Sequence, residues 1–244
     1  MSKPEIVAIA PLPAFFAKPL HEQFTVHDLH GAADAEARRA LIAKIAPTTR
    51  GMVAFGGSQL SPEQLAKFPN LEIISVFGVG YDGMPLAATA EAKVKVTNTP
   101  DVLNDEVADT AVALTLMTCR QFVAAHKFVE AGDWLKGQYP LTRSLWGKTV
   151  GIIGLGRIGK AIARRAEGFG MKIVYHGRRR QADVGYDYYA DVAEMAKVSR
   201  VLLVITPGGK ETENIVDARV LAALGKKGYL INVSRGSTVD EAAL

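Results

Sequence analysis

The segment Thr149–Gly159, which reads TVGIIGLGRIG, constrains the fold of this chain more than any other stretch. A short apolar run, Thr149–Ile153, is followed by the spacing Gly-x-Gly-x-x-Gly and then by helix-favouring residues at Lys160–Glu167. In such a strand–turn–helix unit the first glycine allows a tight turn and the second lets backbone N–H groups approach a pyrophosphate. The third glycine allows close packing of helix on strand. A second apolar strand at Met171–Tyr175 completes the unit, so the segment predicts a dinucleotide site.

The residues after this second strand favour NADP(H) over NAD(H). An NAD site usually carries an Asp or Glu here, which accepts hydrogen bonds from the ribose 2′-hydroxyl, but the nearest acid in this chain is Asp183. Guanidinium groups bind a 2′-phosphate through charge-assisted hydrogen bonds, whereas a carboxylate would repel it. A solvated basic loop is the alternative, and the position at the strand end favours the phosphate. The candidate residues are His176, Gly177, Arg178, Arg179 and Arg180.

Length and composition are typical of an enzyme of one to two domains. The 244 residues are 48% hydrophobic, which is enough to fill a sizeable core, and the net charge is only +4. No basic face with interleaved aromatic residues suggests nucleic-acid binding, and no apolar run reaches membrane-spanning length. The single cysteine, Cys119, rules out an intramolecular disulfide and suits a reducing compartment. We therefore expect a cytoplasmic protein with no nucleic-acid partner, no membrane contact and no metal site.

Short apolar strands alternate with helical stretches on both sides of the Thr99-Pro100 dipeptide, beginning with a strand at Glu5–Ala10 and a helix at Ala33–Ile45. This alternation predicts an α/β fold of two doubly wound parallel-sheet domains. We expect the boundary after Asn98, which gives domains of residues 1–98 and 99–244. One long helix is expected from Asn104 to Ala131, with apolar and small residues at helical spacing.

Five blocks of sequence together resemble the D-isomer-specific 2-hydroxyacid dehydrogenases, and the similarity covers essentially the whole chain. They are FGVGYD (Phe77–Asp82), TNTPDVLNDEVADTAVAL (Thr97–Leu114), GKTVGIIGLGRIGKAIARR (Gly147–Arg165), ITPGGKETENIV after Val204, and LINVSRGSTVDEAAL (Leu230–Leu244). Within the family, the arginine run and the stretch Gly137–Gly147 look most like NADPH-dependent glyoxylate/hydroxypyruvate and hydroxyphenylpyruvate reductases. The resemblance implies a flavodoxin-like substrate domain, a Rossmann NADP-binding domain and hydride transfer from NADPH to a small 2-oxo acid, which becomes a D-2-hydroxy acid.

The resemblance also implies roles for individual residues. Val79 and Gly80 match a turn whose N–H groups bind the substrate carboxylate, and Arg235 matches an arginine that binds the carboxylate and the carbonyl oxygen. An ordinary turn and a salt-bridged surface arginine are the respective alternatives. His176 matches the position of the acid in NAD-dependent relatives, where it either covers the adenine or is a spacer. The cofactor contacts implied outside the arginine run are Gly154, Leu155, Gly156, Arg157, Ile158, Gly159, Thr206, Pro207, Val233 and Arg235.

The resemblance further implies a homodimer that pairs through helix 104–131, where Ala, Thr and Val residues allow a close approach of two helices. A helix buried within one subunit is the alternative. Trp134 and Tyr139 match positions from which some relatives reach into the neighbouring subunit's active site. Alternatively, these two aromatic residues pack an interface.

One departure from the family pattern concerns the proton donor. The family completes its site with a Glu and a proton-donating His well downstream of the SRG block, whereas the histidines here all precede Arg235 and the sequence stops at Leu244. We therefore expect a truncated member whose Rossmann domain is incomplete and whose cofactor binding and turnover are weak as given. The alternative is a gene that ends here. A non-catalytic, dinucleotide-sensing binding protein of the same fold is the second function class.

Overall fold

The computed structural model describes residues 3–244 and divides the chain into two compact units. The first unit ends at Val102 and the second comprises Leu103–Leu244, so the division falls a few residues after the Asn98 boundary expected from the sequence. No helix in the described part of the chain is long and apolar enough to cross a membrane.

The first unit is a five-stranded, entirely parallel sheet with four helices among the residues that the structure describes. Its elements are β1 (Glu5–Ala8), α1 (Ala14–Gln23), β2 (Thr25–Asp28), α2 (Ala35–Ile45), β3 (Thr49–Phe55), α3 (Pro62–Leu65), β4 (Ile73–Phe77), α4 (Leu86–Glu91) and β5 (Lys95–Thr97). The strand order β2-β1-β3-β4-β5 is the flavodoxin-like order. The structure thus confirms the parallel α/β arrangement expected of this half.

Local sequence explains most of these elements. The Asp34 carboxylate caps α2 by accepting hydrogen bonds from the N–H groups of Glu36 and Ala37 at 2.9 and 2.8 Å. Two elements, α1 and β2, were not expected from the sequence. Helix α1 contains Pro19 and buries none of its residues, so it carries no amphipathic pattern that would have revealed it.

The second unit is also a five-stranded parallel sheet. Its elements are α5 (Asn104–Cys119), α6 (Phe122–Glu130), β6 (Thr149–Ile153), α7 (Arg157–Gly168), β7 (Lys172–His176), β8 (Asp187–Tyr188), α8 (Val192–Val198), β9 (Val201–Val204), α9 (Ala218–Leu224) and β10 (Tyr229–Asn232). In the strand order β10-β9-β6-β7-β8, the chain adds β7 and β8 on one side of β6 and then β9 and β10 on its other side, as in Rossmann folds. This confirms the expected class of the second half.

The prediction of a single helix over residues 104–131 is wrong. The chain breaks between α5 and α6 because Gln121 adopts a left-handed conformation, with φ of 54°. The loop after α6 fixes the break, since the Tyr139 hydroxyl donates to Gln121 Oε1 at 3.0 Å and Arg120 Nε donates to Thr142 Oγ1 at 2.8 Å. Neither Gly nor Pro occurs at the break, so helical periodicity alone gave no sign of it.

Three small residues of α5 pack inside the second unit, and the homodimer expected from the resemblance stays a prediction. Ala108, Ala111 and Thr115 are buried in a core shared with α7 and β10. Across the same helix pair, Arg165 donates to the carboxylates of Asp105 and Asp109 at 2.9 and 2.5 Å. At the end of α5, burial raises the pKa of the Cys119 thiol to about 11.

Candidate functional site

The glycine turn after β6 has the geometry that its sequence predicts. Gly154 has φ of +103°, and a Cβ there would lie 2.6 Å from the carbonyl oxygen of Ile205. A Cβ on Gly159 would lie 2.2 Å from the carbonyl oxygen of Gly154, so α7 packs on the turn at a distance that only glycine permits. No heavy atom lies within 4 Å of the Cβ position of Gly156, which leaves open space above the turn.

Helix α7 begins beside this open space. Gly156 is its N-cap residue, and no side chain caps its first N–H groups. Uncapped N–H groups and the positive end of the helix dipole attract an anion. The space above Gly156 therefore fits the pyrophosphate of a dinucleotide, which the residues from Gly154 to Gly159 would hold through their backbone N–H groups.

The basic loop after β7 is tied to the glycine turn. Gln181 donates from Nε2 to the carbonyl oxygen of Leu155 at 2.7 Å, and its backbone N–H donates to the Tyr175 hydroxyl at 2.7 Å. The arginines at Arg178–Arg180 are exposed on this loop. Gln181 was not predicted from the sequence, since nothing in its spacing shows that the loop folds back onto the turn. Its two hydrogen bonds hold three cations near the start of α7.

The acid nearest to the arginine loop already forms an ion pair. Lys160 Nζ donates to Asp183 Oδ2 at 2.6 Å, and this hydrogen bond is the main reason that the pKa of Asp183 is lowered from its usual value. Asp183 is therefore a charged partner of α7, and its position lies well past the end of β7. A carboxylate engaged in this way does not replace the ribose-binding acid of an NAD site.

His176 ends β7 at the position of that acid. Its Nδ1 lies 3.0 Å from the carbonyl oxygen of Tyr189. A carbonyl oxygen can only accept, so Nδ1 donates the proton and the ring orientation is fixed. The following residue, Gly177, accepts a hydrogen bond from the Tyr188 hydroxyl at 3.2 Å. A hydrogen bond to the backbone thus holds the imidazole in place.

On the other side of β6, hydrogen bonds connect the segments that follow β9 and β10. The Ser234 hydroxyl donates to the Thr206 carbonyl oxygen, and the Val233 N–H donates to the Val204 carbonyl oxygen at 3.1 Å. The Thr206 hydroxyl oxygen is the one buried side-chain polar atom without a hydrogen-bond partner in the described residues. Because an orphaned buried hydroxyl is costly, its presence beside the turn at Gly154 indicates a polar ligand.

The backbone of Arg235 is held by its neighbours. Its carbonyl oxygen accepts hydrogen bonds from Asn232 Nδ2 at 2.8 Å and from the Thr238 hydroxyl at 2.6 Å. Its own Nη1 lies 3.3 Å from the Ser234 carbonyl oxygen, and the side chain is partly buried. Asn232 and Thr238 were not predicted as site residues, although both lie in the LINVSRGSTVD block. They fix the position from which the guanidinium extends.

In the first unit, the turn after β4 is supported by two side chains. Asn98 Nδ2 donates to the Val79 carbonyl oxygen at 2.9 Å, and the Gly78 N–H donates to Thr99 Oγ1 at 3.1 Å. In the described chain no hydrogen bond engages the N–H groups of Val79 and Gly80. These donors are therefore available to an anion. Sequence reasoning missed the support by Asn98 and Thr99, although both belong to the TNTP block.

The structure thus brings most predicted residues together at one edge of the second sheet. The glycine turn, His176, the arginine loop, Thr206-Pro207 and Val233–Arg235 all follow the carboxyl ends of its strands. Val79 and Gly80 belong to the first unit. The two candidate aromatic residues differ: Trp134 is 57% exposed, whereas Tyr139 packs edge-on against Phe128 with ring centroids 5.3 Å apart.

Comparison with known proteins gives consistent matches. The profile described as D-isomer specific 2-hydroxyacid dehydrogenase, NAD binding domain, matches residues 112–244. Glyoxylate/hydroxypyruvate reductase A of Arabidopsis thaliana is 45% identical over 195 residues, which cover 80% of this chain and 62% of that protein. The 2-ketogluconate reductase of Gluconobacter oxydans is 39% identical over 243 residues, covering 100% of this chain and 76% of the relative.

A solved structure shows the same arrangement. The NADPH-dependent glyoxylate/hydroxypyruvate reductase of Sinorhizobium meliloti, in complex with NADP and malonate, matches with a TM-score of 0.89 and 42% identity. The match covers 99% of this chain and 74% of that one. These comparisons and the geometry described above agree on the family.

Gly159→Ala tests the contact on which the turn depends. Because its Cβ would meet a backbone carbonyl oxygen at 2.2 Å, we expect destabilisation by about 1–3 kcal/mol and weaker dinucleotide binding. Gly168→Ala is the matched control, since it lies in the same helix with no heavy atom within 4 Å of its Cβ position. Thermal unfolding and calorimetric titration measure both effects. Equal behaviour of the two variants would contradict the close-packing argument.

Proposed function

Since this chain belongs to the D-isomer-specific 2-hydroxyacid dehydrogenases, we propose that it reduces a small 2-oxo acid with NADPH to a D-2-hydroxy acid. The substrate proposed is of the glyoxylate or hydroxypyruvate type. The names of the Arabidopsis and Sinorhizobium relatives support this choice. We assign substrate binding to the first unit, which ends at Val102, and NADP binding to the second.

The loop that Gln181 holds against the glycine turn is the observation that carries the choice of NADP(H). It presents Arg178–Arg180 close to the start of α7, and no free acid stands at the end of β7. A 2′-phosphate carries up to two negative charges, and one guanidinium group can donate hydrogen bonds to two phosphate oxygens at once. Asp183 would not oppose binding of the 2′-phosphate, because its negative charge is compensated by Lys160. His176, with its ring fixed by Tyr189, would line the adenosine side.

The remaining site residues suit a 2-oxo acid. The free N–H groups of Val79 and Gly80 would bind the substrate carboxylate, while the guanidinium of Arg235 would bind the carboxylate and the ketone oxygen. NADPH supplies a hydride to the ketone carbon when it is bound. Negative charge would then develop on the ketone oxygen, where Arg235 would stabilise it because a guanidinium stays protonated at any physiological pH, and a proton from solvent would complete the 2-hydroxy acid.

Arg178→Ala tests the cofactor preference. We expect NADPH binding to weaken by about 1.5–3 kcal/mol, because a charge-assisted hydrogen bond to the 2′-phosphate is lost. NADH binding should be nearly unchanged. Arg164→Ala removes an exposed arginine from α7 and serves as the control. If calorimetric titration shows an equal loss for both cofactors, the arginine loop does not recognise the 2′-phosphate.

Arg235→Lys tests the substrate site. The charge remains but the planar fork is lost, so kcat/KM for glyoxylate should fall by about 10²-fold or more. The affinity for NADPH, measured by titration, should change far less. Arg164→Lys is the matched control. If kcat/KM barely moves, Arg235 has a structural role; if the wild type binds NADPH but turns over no 2-oxo acid, it is a dinucleotide-binding protein.

We also propose that the protein forms a homodimer through α5 and α6. Although the small residues of α5 pack internally, the outer faces of both helices expose large apolar side chains. Their exposed fractions are 38% for Leu114, 39% for Met117, 49% for Phe122, 52% for Val123 and 57% for Val129. A second copy that packs its own α5 and α6 on this surface would bury the apolar area symmetrically.

Light scattering tests the dimer. We expect twice the mass of one chain for the wild type, and a monomer for Val123→Glu, because the variant places a charge within the apolar surface. Val198→Glu is the control, since Val198 is a similarly exposed valine on α8. A monomeric wild type, or equal dissociation of both variants, would contradict the proposed interface.

A further inference from the structure

Helix α2 in the first unit packs on the core through Leu41, Ile42 and Ile45, and it carries two exposed arginines, Arg38 and Arg39, one turn earlier. Ala35, Arg38, Arg39 and Ile42 are spaced i, i+3, i+4 and i+7, which places them on one helix face. All four line a cavity of about 730 Å³. Arg38 and Arg39 are both exposed, so this face of α2 places two long cations at the open wall of the cavity.

The cavity has an apolar floor at the carboxyl ends of β1 and β3. Ile9 follows β1, Met52 lies within β3, and Phe68 follows α3; Met52 and Phe68 are buried. In the order β2-β1-β3-β4-β5, the chain connections leave β1 and β3 in opposite directions. Open α/β sheets bind ligands at this switch point.

The charged residues around the cavity are all basic. Lys67 and His30 line it together with Arg38 and Arg39. No Asp or Glu lines the cavity in the part of the chain that the structure describes, and no ion pair there neutralises Arg38 or Arg39. The turn at Gly78–Gly80 contributes no residue to its lining.

We propose that this cavity binds a small organic anion, a carboxylate or phosphate monoester on an apolar body, through residues other than those predicted to bind the dinucleotide and the 2-oxo acid. Arg38 and Arg39 bind the anionic group through charge-assisted hydrogen bonds. The floor around Met52 and Phe68 takes the hydrocarbon part. The volume of 730 Å³ lies within the range of about 300–1,000 Å³ that is typical of small-molecule sites.

Methyl NMR of the methionines locates the binding. Met52 forms part of the floor, whereas Met84 is buried in the same unit and does not line the cavity. We titrate the protein with phenyl phosphate, 3-phenylpropionate and the neutral benzyl alcohol, with the Met52 signal assigned through Met52→Leu. The expected result is a saturable shift of the Met52 signal with one or both anions, without a shift of Met84. Which anion binds more tightly distinguishes a phosphate site from a carboxylate site.

Charge removal tests the role of the arginines. Arg38→Gln and Arg39→Gln should each raise the Kd of the tighter anion by at least about tenfold. Lys44→Gln is the matched control, because it removes a cation from α2 outside the cavity. The proposal fails if neither anion shifts Met52, if benzyl alcohol binds as tightly as the anions, or if Lys44→Gln weakens binding equally. Each of these outcomes is independent of NADPH oxidation, so failure here leaves the reductase proposal intact.

Discussion

The contact between Gly159 and the Gly154 carbonyl oxygen is the constraint on which the second unit depends. Without a Cβ at Gly159, α7 can start directly at the end of β6. The position of α7 then determines where its uncapped N–H groups point and where Lys160 reaches Asp183. Gln181 bonds to Leu155 within the same turn, so the arginine loop is placed by the turn as well. One missing methyl group thereby orders the glycine turn and the arginine loop together.

The first unit uses the same device at its own sheet edge. A Cβ on Gly78 would lie 3.2 Å from the Cα and the nitrogen of Gly56, so the loops after β3 and β4 touch backbone to backbone. Glycine permits the contact, and the side chains of Asn98 and Thr99 then hold the loop in place. Each unit therefore exposes backbone N–H donors on a rigid support, which lowers the conformational entropy that the loop would lose on binding an anionic ligand.

The sequence predicted the features that rest on local pattern. The strand–turn–helix at Thr149–Gly159 and the alternating sheets are confirmed because glycine spacing and apolar runs act over a few neighbouring residues. The break at Gln121 was missed because Tyr139 and Thr142, which are distant in sequence, stabilise it through hydrogen bonds with Gln121 and Arg120. The role of Gln181 was missed for the same reason: its partner Leu155 is brought near only by the tertiary fold. Contacts of this kind leave no periodic signal.

The burial of Cys119 has a practical consequence for studying this molecule. It is the single cysteine in the sequence, it is 1% exposed at the end of α5, and its thiol stays protonated because its pKa is about 11. Thiol-directed reagents need a thiolate that they can reach, so the native protein should be silent towards them. A cysteine introduced on the arginine loop would then be the one residue that such reagents label. A fluorophore attached there would report cofactor binding, and Cys119 would not have to be replaced.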